Sequence, residues 1–245
     1  MKHKNNVKKA IESTWENYSQ IDYNSKEFND RLGRYKEVLD EIPARLDCVC
    51  KMYGVQLTIN ASKNKTNDVI HETDWYPMSA FDIEHCALQL RKICEAIIMG
   101  AFIINGTLYE QYFDCIKNSD SINYIKSIFS TIGLPYYPQP MIAGKPHMEQ
   151  VPKCDYLAEE DFVNLYKSAS EIIHLNIDNT PEKYQEFCLS IDTYIAKIIK
   201  LTNKFIFTIT GTTMLLVQIN EDKNFDVYIC DNLNYEDSIK TVLQK

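Results

Sequence analysis

The stretch Phe81–Phe113, FDIEHCALQLRKICEAIIMGAFIINGTLYEQYF, limits what this chain can fold into more than any other. Ile83, Ala87, Leu90, Cys94, Ile97 and Ala101 recur at spacings of three and four, the stripe of a core-facing helix. From Ala96 to Ile104 every residue except Gly100 is apolar, so this half should be enclosed by protein. The run is far shorter than the roughly 20 residues that cross a bilayer, which makes it a buried helix rather than a membrane span. Leu88, Arg91, Glu95, Ile98 and Phe102 form a second stripe, with opposite charges one turn apart. Arg91 and Glu95 are then either a structural ion pair or the lining of a polar pocket.

Other helices are legible by period. Phe28, Leu32, Tyr35, Leu39, Ile42, Leu46, Val49 and Tyr53 alternate at four and three, and Pro43 should kink or divide that helix. A first helix is expected within 1–24, and two more at 108–116 and 122–132. Asp161–Ile173 is amphipathic. Thr180 as cap, Pro181 and Glu182 open another helix whose stripe runs from Tyr184 to Ile198. Ser79 and Asp82 are both candidate starts for the central helix. Val55–Ile59 alternates as a short strand, and 61–68 reads as a polar loop.

Beyond Asn203 the period changes to two: FIFTIT, TTMLLVQI and FDVYIC form a β-hairpin or three-stranded meander. The segment 133–152 holds five of the eight prolines and is expected to be an extended crossover, neither helix nor central strand. The fold class is therefore α+β: a mainly α-helical bundle with a C-terminal antiparallel sheet, in a single domain over 1–245. Its helical body covers about 1–202, its meander about 204–231 and a terminal helix about 234–244.

A net charge of -8 argues against a broad nucleic-acid-binding surface and suits a basic protein partner. The amino terminus MKHKNNVKKAIESTW lacks the apolar core of a secretory signal, so the eight cysteines are expected as thiols in a cytoplasm. Cys48 and Cys50 stand as C-x-C with no C-x-x-C or H-x-x-x-H to complete a zinc site, and no metal or cofactor is expected. Phosphate-loop, dinucleotide, G-x-S-x-G and H-E-x-x-H signatures are absent. His85 shares a helix face with Gln89 and Lys92 that reads as solvated. His174 ends an amphipathic helix in SEIIHLNID, where the helix dipole favours it.

LQLRKICEAII at 88–98, YYPQP at 136–140 and FVNLYKSASEIIHLNI at 162–177 resemble a bacterial helical family with features of the HEPN superfamily. That resemblance implies a helical body and a site around His174, since catalytic HEPN ribonucleases carry R-x4-6-H at one helix end. Ser168 and Ala169 stand where the arginine would be sought, so the motif is not intact. The resemblance leaves His174, with Arg91 from another helix as substitute and Glu95 and Asn176 beside them, as the catalytic candidates. An RNA-acting enzyme of this kind requires these four to meet in one cleft. A nucleotide sensor in a defence system is a further alternative.

Without an intact catalytic motif, the reading favoured by sequence is a non-enzymatic protein binder: an immunity protein or antitoxin that covers a basic nuclease toxin. Asp155, Glu159, Glu160 and Asp161, the densest acidic group, are its expected partner-binding residues. The same carboxylates at a helix start would equally serve the helix dipole.

Overall fold

The computed structural model describes residues 22, 24–58, 68–71, 78–106, 137–143, 148–174, 180–210 and 213–231. The helices expected within 1–24 and at 108–116, 122–132 and 234–244, and the candidate Asn176, lie outside the described residues. Among the described residues there are four helices and seven strands. They run in the order α1 (Lys26–Tyr53), β1 (Val55–Thr58), β2 (Asp68–His71), α2 (Ala80–Asn105), β3 (Gln139–Ala143), β4 (Met148–Gln150), α3 (Glu159–Ile173), α4 (Pro181–Thr202), β5 (Lys204–Thr210), β6 (Thr213–Ile219) and β7 (Phe225–Asp231). The fold is α+β and helix-dominated, with a C-terminal antiparallel sheet.

Helix α1 starts where the Ser25 side chain accepts the Phe28 N–H at 3.2 Å, and ends at Gly54 in the left-handed region, φ 76°. Pro43 does not divide it: the helix continues for a further ten residues to Tyr53 with the Pro43 ring buried. Packing explains this, because Ile42 and Leu46 on either side are also buried and hold the chain helical across the lost backbone bond. The capping ambiguity at α2 resolves in favour of Ser79. Its Oγ accepts the Asp82 N–H at 3.2 Å while Asp82 Oδ2 accepts the Ser79 N–H at 3.1 Å, a reciprocal capping box.

Helix α2 packs most extensively on α1 and next on α3. Its second half is enclosed as its composition demands: Ala96, Ile97, Ile98, Ala101, Phe102 and Ile104 are buried, with Met99 and Ile103 partly so. The two helices approach closely at Gly100, where a Cβ would stand 2.9 Å from Cε2 of the buried Tyr35. A glycine is needed there for space rather than for backbone freedom.

The meander β5–β6–β7 is antiparallel throughout, with Phe205 opposite Val217 and Val217 opposite Val227. Alternation sorts its side chains. Phe205, Phe207, Ile209, Leu215, Val217 and Phe225 join the helices in one core, while Ile206, Leu216 and Cys230 form a smaller cluster with Met141 on the other face. Asp40 of α1 fastens the end of this sheet, its Oδ1 accepting the Phe225 N–H at 2.7 Å.

The sheet is larger than the meander alone. Its order is β4-β3-β5-β6-β7, so the proline-rich segment supplies two strands and β3 occupies an interior position. This corrects the expectation of a crossover outside the sheet. Pro140 is tolerated because β3 pairs with β5 only at Gln139 and Pro140, while on the β4 side its carbonyl accepts the Val151 N–H at 3.1 Å. A second difference is the two-stranded hairpin β1–β2, in which Asp68, expected in a polar loop, pairs with Thr58. No helix among the described residues is long and apolar enough to cross a membrane.

Candidate functional site

Helices α2 and α3 pack together so that the polar stripe of α2 meets the end of α3. Arg91 lies at the centre of that meeting. Its Nε donates to Glu95 Oε1 at 3.0 Å, one turn along α2, and its Nη2 donates to the Tyr166 hydroxyl of α3 at 3.3 Å. Its Nη1 stands 3.4 Å from His174 Nε2, although the two residues are 83 apart in the chain. The guanidinium carbon lies 5.1 Å from the Tyr166 ring centroid, close enough for a cation–π attraction. Glu95 is shared, its Oε2 accepting from Lys92 Nζ at 2.6 Å.

These positions follow from local structure. The i,i+4 spacing puts Glu95 above Arg91, and the pair is half-buried, with 17% and 29% of the side chains exposed. His174 is the first residue past α3, with extended backbone and its N–H bonded to the Ser170 carbonyl at 3.1 Å. The ring is exposed and reaches Arg91. A guanidinium can only donate, so Nε2 is the accepting side of this contact.

Burial works against the Arg91 charge, but Tyr166 and Glu95 outweigh it and hold the guanidinium above its ordinary pKa. Burial also pushes the Tyr166 hydroxyl up, against the opposing pull of Arg91, so it remains a neutral donor and acceptor. The site thus combines a fixed cation, with two N–H groups on its Nη atoms that make no bond among the described residues, an exposed imidazole, a phenol and one carboxylate. Such a set can bind an anion and move a proton.

Three of the four sequence-derived catalytic candidates, Arg91, Glu95 and His174, come together here. Two members were missed. Tyr166 fell on the apolar stripe of Phe162, Leu165 and Ala169 and read as core, and it is indeed 6% exposed, but its hydroxyl turns towards Arg91. Lys92 read as one of a solvated face, and its ammonium is committed to Glu95.

The acidic group is divided. Asp155 lies exposed in a turn, its N–H bonded to the Pro152 carbonyl at 2.9 Å, and Glu159 and Glu160 are exposed in the first turn of α3. Asp161 is not free to meet a partner: its Oδ2 accepts from Lys197 Nζ of α4 at 2.6 Å. Ala158, at the N-cap of α3, supplies no side-chain cap, so the three carboxylates of the first turn also balance the helix dipole. Among the described residues no group of three or more His, Cys, Asp or Glu could hold a metal ion.

Comparison with protein-family models, with curated proteins and with solved structures found no match to this chain.

Proposed function

We propose that the chain is an HEPN-like protein acting on RNA through Arg91 and His174. The observation that supports this most is their approach to 3.4 Å across 83 residues, with Glu95 and Tyr166 at the same point. In this reading the substrate phosphate takes over the Arg91 Nη1 N–H that faces His174, and the Nε2 lone pair released in this way takes the proton of a ribose 2′-hydroxyl. The 2′ oxygen attacks the adjacent phosphorus, and the P–O5′ bond breaks as the new P–O bond forms. The departing 5′ oxygen gains a proton from water, and the imidazolium returns its own to solvent. Arg91 offers its remaining N–H groups to the phosphate oxygens, where charge accumulates. Glu95 keeps the guanidinium turned towards the cleft and acts as a positioning residue.

The test is cleavage of an end-labelled single-stranded RNA by the purified chain. Products ending in a 2′,3′-cyclic phosphate are expected, and His174→Ala should slow their formation by about 10²- to 10⁴-fold, the range for loss of a general base. Its melting temperature should stay within a few degrees, since the ring is exposed. An equal rate for His174→Ala and wild type rejects this assignment.

A second reading, a non-enzymatic immunity protein or antitoxin that neutralises a basic nuclease, draws its support from the exposure of Asp155, Glu159 and Glu160 on a chain of net charge -8. Here Asp155→Lys with Glu159→Lys should slow association with the product of the neighbouring gene and flatten its salt dependence. Unchanged association kinetics at two ionic strengths would leave these carboxylates with only their helix-start role.

A further inference from the structure

The cations around the Arg91 cleft can be followed one by one, and they are committed to protein partners. Arg91, with 17% of its side chain exposed, gives its Nε to Glu95 and turns one N–H of each Nη towards His174 and Tyr166, which leaves one N–H on each Nη atom. Lys92 gives its Nζ to Glu95 Oε2 at 2.6 Å. Arg45 of α1, which reaches α2 at Gln89, is held by Glu41 at 2.5 Å and donates to Gln89 Oε1 at 3.0 Å. Gln89 in turn places its amide nitrogen 3.3 Å from His85 Nε2, so that seam closes on itself. His85 and Gln89, read from spacing as a solvated face, are half-buried there.

The charges within two turns of Arg91 on α2 and of His174 on α3 cancel: Arg91, Lys92 and Lys167 stand against Glu84, Glu95 and Glu171. The whole chain carries 26 Lys and Arg against 34 Asp and Glu, and Asp155, Glu159 and Glu160 are exposed near the start of α3. A surface that follows a nucleic-acid backbone needs a surplus of cations along it, because each neutralised phosphate must find one. Among the described residues beside this cleft there is no surplus, and a second or third phosphate of a bound strand would meet as much negative charge as positive.

We infer, resting on the RNA-acting reading above, that this site grips a single phosphate and that its substrates are short single-stranded oligoribonucleotides, down to the dinucleotide. The remaining N–H groups of one planar guanidinium match the oxygens of one phosphate. In a dinucleotide that phosphate is the one cleaved, so everything the site holds is already present. Each further nucleotide brings a negative charge and gains no cation beside the cleft. Chain length should therefore add nothing to the stabilisation of the transition state, in contrast to an enzyme that draws a long strand through a basic groove.

The experiment measures kcat/KM of the full chain on a dinucleotide, a tetranucleotide and a dodecanucleotide, each with one ribose 2′-hydroxyl and 2′-O-methyl nucleotides elsewhere, so that a single bond can break. The three values should agree within about threefold. On the dodecanucleotide, log kcat/KM against log salt should have a slope of about −0.7, the value for one phosphate of a single strand and a loss of about threefold between 50 and 200 mM; a strand held at four phosphates would lose about fiftyfold. In Arg91→Ala that slope should vanish along with most of the rate. A rise of about tenfold or more from dinucleotide to dodecanucleotide, or a slope near about −3, would overturn this inference and leave the RNA-acting reading standing. Cleavage of none of the three substrates rejects that reading, and this inference with it.

Discussion

Ile97→Asp is expected to yield no soluble folded protein. Ile97 is 4% exposed at the middle of α2, in the half of the helix enclosed by α1, α3 and the core around them. An aspartate there must either ionise without a partner or fold only in its protonated form, and both cost several kcal/mol beside the loss of apolar contact. A domain with a stability of about 5–15 kcal/mol has little left after that. Ile97→Val is the matched control, removing one methylene at about 0.5–1.5 kcal/mol and retaining a cooperative melt. Soluble yield and thermal unfolding of the two variants decide the matter: an Ile97→Asp protein melting with the wild type would mean that α2 is not the centre of the fold.

The parts of the fold that sequence revealed are those in which local pattern and tertiary burial agree. The heptad from Phe28 to Tyr53 is a buried stripe, with Leu32 and Tyr53 only partly covered, and the expected caps Ser79 and Thr180 stand at their helix starts. Where a residue's local meaning conflicts with its partner's, the pattern misled. Prolines argue locally against strands, yet β3 needs few ladder bonds on the β5 side, and Met141 has apolar neighbours waiting on the outer sheet face. His85 and Gln89 are polar on a mostly polar face, and only the position of α1 shows that Cys48 and Arg45 meet them.

The site divides along the same line. The Arg91–Glu95 pair is an i,i+4 contact and could be read from spacing alone. The approach of His174 cannot, because it depends on how α3 lies against α2, and spacing offered no more than a histidine at a helix end. Tyr166 was hidden by its own amphipathic nature: the ring obeys the apolar stripe while the hydroxyl serves the cleft.

Arg91 carries the second large expected effect, because one side chain serves both packing and the proposed chemistry and the two roles can be separated. Arg91→Ala removes the fork that joins Glu95, Tyr166 and His174. In stability this should cost only about 1 kcal/mol, or roughly 2–4 °C in melting temperature, since Glu95 retains Lys92 and the pair is partly exposed. In RNA cleavage the same change should cost about 10²- to 10³-fold, the range for removing a preorganised donor from developing negative charge. Arg91→Lys sharpens the distinction. A single ammonium can keep its attraction to Glu95, but it cannot also meet Tyr166 and His174 and still present a planar pair of donors to phosphate. Its melting temperature should therefore stay near that of the wild type while its cleavage rate falls well over tenfold. Single-turnover rates, taken at least 10 °C below the lowest of the three melting temperatures, keep unfolding out of the comparison. Equal rates for the three proteins would make Arg91 a structural clasp between α2 and α3 and nothing more; a rate loss at constant stability in Arg91→Lys is an outcome that no purely structural role of the guanidinium produces.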